Sequence, residues 1–189
     1  MIMFDFNSII PFIAALVVLL YIIIDFARNR TKGLLKRLLL YSFLFYLVNV
    51  IDVTIGHVGI SPFVDGYLSV QLIPFYFVKD ILLHEIGSWH FWNATKLSFN
   101  NFIMLAPLGV YLTILFDVKK VRNAVTIGFL VSLFIETYQL ILTYIGLTFR
   151  TFNVDDLILN TLGCVLAFIV ARTLKELYIH FSNRPGSKG

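Results

Sequence analysis

An all-α, polytopic membrane protein with about five transmembrane helices is predicted from three observations. The 189 residues are 59% hydrophobic and 14% charged, with a mean hydropathy of +0.86. A soluble domain is about 45–50% apolar and about 25% charged. The apolar residues fall into five runs, each near the ~20 residues that cross a bilayer. The basic residues sit in the connections, and they alternate in density from one connection to the next. With the N-terminus outside, segments 27–37, 117–123 and 171–189 hold twelve of the fifteen Lys and Arg. The other side holds Lys79, Lys96 and Arg150. Cytoplasmic loops carry the excess of Lys and Arg, so the sequence predicts the N-terminus outside and the C-terminus inside.

The length accommodates a single integral membrane domain over 1–189. The net charge of +4 is scattered over short loops, which marks topology and gives no nucleic-acid surface. Cys164 is the one cysteine and lies in an apolar run. It excludes an internal disulfide and reads as a packing residue.

The first span covers about 9–26. Asp5 precedes it, with no Lys or Arg and no small-residue cleavage site, so it is expected to stay as an anchor. Pro11 falls in its first turn, where a missing N–H costs little. The second span, about 38–55, carries Asn49 and Asp52 at i and i+3 toward its far end, with His57 just beyond. Residues 58–97 form the longest connection. Its aromatic density, from Phe63 through Trp92, predicts a segment lying in the interface or re-entering the membrane. The third span, about 99–116, begins with Asn100 and Asn101, and Pro107 is expected to kink it. The fourth, about 124–145, holds Glu136 near its middle, and the fifth runs over about 157–173.

The stretch from Ser132 to Gly163 carries the most intramembrane polarity. Ser132, Glu136 and Gln139 stand at i, i+4 and i+7, on one helix face. A short loop with Arg150 follows, and Asp155, Asp156, Asn160 and Thr161 open the fifth span. In the predicted orientation these groups gather toward the outer side, as do Asn100, Asn101 and Asp52. Glu136 lies about ten residues, or ~15 Å, below the outer end of its helix. The expectation is an outward-facing polar pocket with Glu136 at its floor. A carboxylate at mid-bilayer costs about 2.5–3.5 kcal/mol unless it is paired, protonated or wet. Arg150, Asn160 and Gln139 are its candidate partners. The alternative is that Glu136, Gln139 and Asn160 simply bond neighbouring helices together. Of Asp155 and Asp156, one is expected to cap the helix start and the other, by its i, i+4 relation to Asn160, to face the pocket; that makes Asp156 the inward member.

His84-Glu85 with His90 lacks the second His of the zincin pattern, because Ser88 stands where it belongs. No metal or other cofactor is assigned. No nucleophile elbow, phosphate loop or dinucleotide fingerprint is present.

Four elements in order carry a resemblance to a known family. They are Gln71-Leu-Ile-Pro74-Phe75, Asn100 through Gly109, Ser132-x3-Glu136-x2-Gln139, and Arg150 through Asp155-Asp156-x3-Asn160-Thr161-x-Gly163. Over about 45–175 the chain resembles the VanZ-like family of bacterial membrane proteins. The resemblance implies a multi-pass protein of the cytoplasmic membrane. The family's namesake is associated with lowered susceptibility to teicoplanin, a lipid-tailed glycopeptide antibiotic.

Two functions follow as expectations. In the first, the pocket binds a lipid-linked cell-wall precursor or a lipidated glycopeptide without chemistry. Arg150 pairs with its anionic group, and Gln139, Asn160, Asn100, Asn101, Asp155 and Asp52 complete the lining, with membrane lipids as the surroundings. In the second, a membrane-embedded enzyme acts on such a molecule. Glu136 is then the general acid or base, Arg150 the electrostatic clamp, and Asp156 with Asn160 the orienting groups. A proton-coupled transporter is disfavoured by the absence of internal repeats and the small size.

Overall fold

The computed structural model describes residues 9–28, 33–55 and 68–183. His57 and the first part of the aromatic connection, including Phe63 and Tyr67, lie outside the described residues. The elements run α1 (Ile9–Arg28), α2 (Leu34–Ile55), β1 (Val70–Gln71), α3 (Tyr76–Leu82), α4 (Trp89–Met104), α5 (Ala106–Ile114), α6 (Val121–Tyr144), β2 (Phe152–Asn153) and α7 (Val154–Ser182). Among the described residues five helical stretches are long and apolar enough to cross a membrane, α4 and α5 together counting as one. The protein is all-α and polytopic; among the described residues the strands are limited to a two-residue parallel pairing of β1 and β2.

The third span differs most from the sequence expectation. Its helix begins at Trp89 rather than near Phe99, because Ser88 caps it: the Ser88 Oγ accepts from the N–H of Phe91 at 3.2 Å. Asn100 and Asn101 therefore stand well inside α4 and do not open it. The break comes at Leu105, directly before α5, which carries Pro107 in its first turn. Proline has no N–H for the helix ladder and its ring crowds the carbonyl four residues back, so the continuous helix is interrupted there. The fifth helix also outruns its expected limits at both ends, covering Val154–Ser182.

The chain divides into two compact units, 1–71 with 135–153, and 72–134 with 154–189. In the first unit α1 and α2 form a hairpin. Arg37 Nε donates to the Asp25 carboxylate at 2.7 Å, and the Tyr41 hydroxyl donates to the same oxygen. The last turns of α6 join this unit. Gln139 Nε2 donates to the Thr54 carbonyl at 2.8 Å. Beyond α6, the Phe152 N–H donates to the Ser69 carbonyl at 2.9 Å, and Val70 and Gln71 pair with Phe152 and Asn153.

In the second unit α7 is the central helix, packed against α4 and α5. Two glycines permit that packing. A Cβ on Gly163 would stand 1.7 Å from the Phe102 carbonyl oxygen, and one on Gly109 would stand 2.0 Å from that of Cys164. The helix backbones touch directly at these points, the close approach that small residues allow between membrane helices. The first half of α6 approaches α7 at Gly128, beside Cys164. The buried centre of the unit contains Leu105, Ser132, Asn160, Cys164 and Phe168, each fully or almost fully enclosed. Large apolar side chains cover much of the exposed surface of both units, as a lipid environment requires.

Candidate functional site

Within the first unit the polar residues of α6 form a ladder on one helix face. Glu136, Gln139 and Thr143 are spaced i, i+3 and i+7, which keeps them within about one-sixth of a turn of one another. All three are buried. Glu136 is 2% exposed, and its Oε2 accepts from the backbone N–H of Asn153 at 3.1 Å. An otherwise costly carboxylate thus meets a main-chain donor at the end of β2. Gln139 spends an amide hydrogen on Thr54 at the last turn of α2.

Thr143 does most to shape the loop that follows. Its hydroxyl donates to the Arg150 carbonyl at 3.0 Å and accepts from the Arg150 N–H at 3.0 Å. It also lies 2.9 Å from the Thr148 hydroxyl, itself buried. The loop is held from α6 by Thr143 and Glu136, and from the other side by the β1–β2 pairing and the 2.8 Å contact of Ser69 and Thr151 hydroxyls. These contacts fix the backbone of Arg150 while its side chain remains exposed. Thr143 and Thr148 were not among the residues singled out from the sequence. The signal was available: Thr143 continues the i+4 progression from Gln139.

In the second unit the predicted residues fall into different arrangements. Asp155, not Asp156, is the fully buried member of the acidic pair, at 1% exposure against a half-buried Asp156. Its two carboxylate oxygens accept from the N–H groups of Phe75 and Phe77, at 2.5 and 2.8 Å. Asp155 therefore caps the start of α3, a different helix from its own. The expectation of Asp156 as the inward residue is corrected here: the turn at Pro74–Phe77 offers two free N–H groups, and Asp155 is the side chain that meets them. Asn160 is fully buried, and its Nδ2 donates to Ser132 Oγ at 3.1 Å. Asn101 is half-buried and Asn100 exposed, both in the interior of α4. Asp52, in the first unit, is exposed near the end of α2.

His84 and His90 stack with ring centroids 5.2 Å apart, and His84 Nε2 lies 3.8 Å from Asp80. Among the described residues no three His, Cys, Asp or Glu side chains converge to hold a metal ion.

The buried acid, the amide beside it and the loop bearing Arg150 all lie in segments that carry the family resemblance. Neither a curated protein nor a solved structure gives a significant match. Over residues 12–175, most of its length, the chain matches the VanZ/LLP1 family, and it belongs to that family.

Proposed function

We propose that this VanZ-type membrane protein serves the bacterial cell envelope by receiving a lipid-linked cell-wall molecule or a lipidated glycopeptide at the α6 ladder and its loop. Glu136 carries the reading. A carboxylic acid enclosed to 2% in a membrane helix, its Oε2 accepting from a main-chain N–H, is expensive for a purely structural strut. The exposed Arg150 guanidinium supplies a bidentate donor for a phosphate or carboxylate on the ligand. With the N-terminus outside, as the distribution of basic residues supports, this loop faces outward at the cytoplasmic membrane. In the other unit Phe75, before α3, and Trp89 and Trp92, in the first turn of α4, are well exposed, as rings lying at the membrane interface would be. Lowered teicoplanin susceptibility is the phenotype that family membership supports.

The second reading is catalysis on the same molecule, with Glu136 as general acid or base and Arg150 stabilising developing negative charge. One substitution separates the two. Glu136→Gln keeps an oxygen that accepts from Asn153 N–H and removes the proton chemistry. Cells lacking the protein are complemented with wild type or Glu136→Gln at matched membrane levels, and their susceptibilities to teicoplanin and vancomycin are compared. Wild type is expected to protect selectively against teicoplanin, the lipid-tailed drug. Protection equal to wild type by the Gln variant supports binding without chemistry. Protection lost, with the variant folded, supports the enzyme. No protection by wild type would overturn the antibiotic phenotype and direct the search to an endogenous envelope lipid.

A further inference from the structure

A second feature lies within the 72–134/154–189 unit, apart from the Glu136 ladder. An apolar groove of about 860 Å³ runs along α7 beside α4 and α5. Phe102, Val110, Ile114, Leu166, Val170 and Leu174 wall it, and at one end it reaches Lys175 and Tyr178. From Gly163 to Ile179 the groove follows seventeen residues of α7, ~24 Å between the first and the last at helical rise. That exceeds half of a hydrocarbon core about 30 Å thick, so it accommodates the tail of a lipid from one leaflet lengthwise.

The charges at the end of the groove select the head group. Asp117 is shared between Lys119 at 2.5 Å and Lys175 at 2.8 Å, one carboxylate facing two ammonium groups. Arg172 pairs with Glu176 at 2.7 Å and donates to the Lys119 carbonyl. Lys120 and Arg122 flank the start of α6. Lys119, Lys120, Arg122, Arg172 and Lys175 against Asp117 and Glu176 leave a local excess of three positive charges. A second copy of this chain seated on the groove would bring the same excess against itself. A zwitterionic lipid would leave it unbalanced. An anionic phospholipid supplies both the apolar tail and the compensating phosphate.

We propose that this groove binds one acyl chain of an anionic phospholipid, with its phosphate at the basic end beside Lys175. The full chain is purified in detergent and titrated with phosphatidylglycerol or phosphatidylcholine of identical chains, and retained lipid is counted by native mass spectrometry. Phosphatidylglycerol is expected to be retained at one molecule per chain and phosphatidylcholine to be lost first. Lys120→Gln with Arg122→Gln, both on the surface, should weaken phosphatidylglycerol retention by about fivefold per charge removed without changing the thermal midpoint. Ala171→Phe, which fills the groove, should remove the bound lipid while the protein still elutes as a single species. Equal retention of the two lipids, or unchanged retention in the charge variant, overturns the proposal. So does a dimer that Ala171→Phe dissolves.

Discussion

The Asp155 carboxylate, in the first turn of α7, holds the backbone N–H of Phe75, some eighty residues earlier in the chain. Phe75 stands at φ 63°, in the left-handed region that an aromatic residue rarely enters. The same carboxylate takes the N–H of Phe77, so one side chain both stabilises a strained turn and caps α3. Asp155→Ala removes two charge-assisted bonds, each worth about 1.5–3 kcal/mol. A loss of about 3 kcal/mol or more is expected, read as a lowered thermal midpoint in detergent. Asp155→Asn, which retains one acceptor, should fall between the two. A midpoint unchanged in Asp155→Ala would mean that the turn is held by other contacts.

The glycines of the second unit predict a graded series. Alanine at Gly163 would press a methyl group into the Phe102 carbonyl at 1.7 Å, backbone against backbone, with nothing flexible to yield. Alanine at Gly128 would meet Cys164 Sγ at 3.2 Å, which a small adjustment relieves. Gly163→Ala is expected to cost about 3 kcal/mol or more, and Gly128→Ala about 1 kcal/mol or less. Monodisperse yield after detergent extraction ranks them. Equal behaviour of the two would contradict direct α4–α7 backbone contact.

Thr143→Val preserves shape and removes the hydroxyl that serves Thr148 and both main-chain groups of Arg150. The cost in stability is expected to be about 1–3 kcal/mol. The distinguishing result lies in hydrogen exchange: amides of 148–153 should lose protection while those of α1 and α2 keep theirs. A uniform loss of protection would indicate that Thr143 acts on the whole fold rather than on the Arg150 loop.

Asp117 lies outside the membrane-spanning helices, and hydrogen bonds from Lys119 and then Lys175 hold its carboxyl down to about 2 from 3.8. Its folded value is depressed. The linked stability is therefore fully present above 3.8 and is lost as the pH falls toward 2. Because the group is exposed, the effect should be small and weakened by salt. Asp117 has φ 51°, a conformation that asparagine tolerates. Asp117→Asn is expected to flatten this part of the acid profile of the thermal midpoint. An unchanged profile would assign the acid sensitivity to other carboxylates.

The sequence by itself determined the class of this protein. Hydropathy and length identify membrane helices because a bilayer forces each spanning segment to satisfy its own backbone within ~20 apolar residues. Spacing within one helix was equally legible, since Glu136 and Gln139 share a face wherever α6 is packed. Helix limits were less so: a capping serine moved the start of α4 to Trp89, and a polar or aromatic first turn carries little hydropathy signal. Only the tertiary structure decided which of Asp155 and Asp156 is enclosed, that Thr143 anchors Arg150, and that Asp25 joins Arg37 and Tyr41. Those outcomes depend on donors far away in the chain. A carboxylate in the first turn of a helix suits its own helix dipole and a distant turn alike, and only the position of Phe75 distinguishes them.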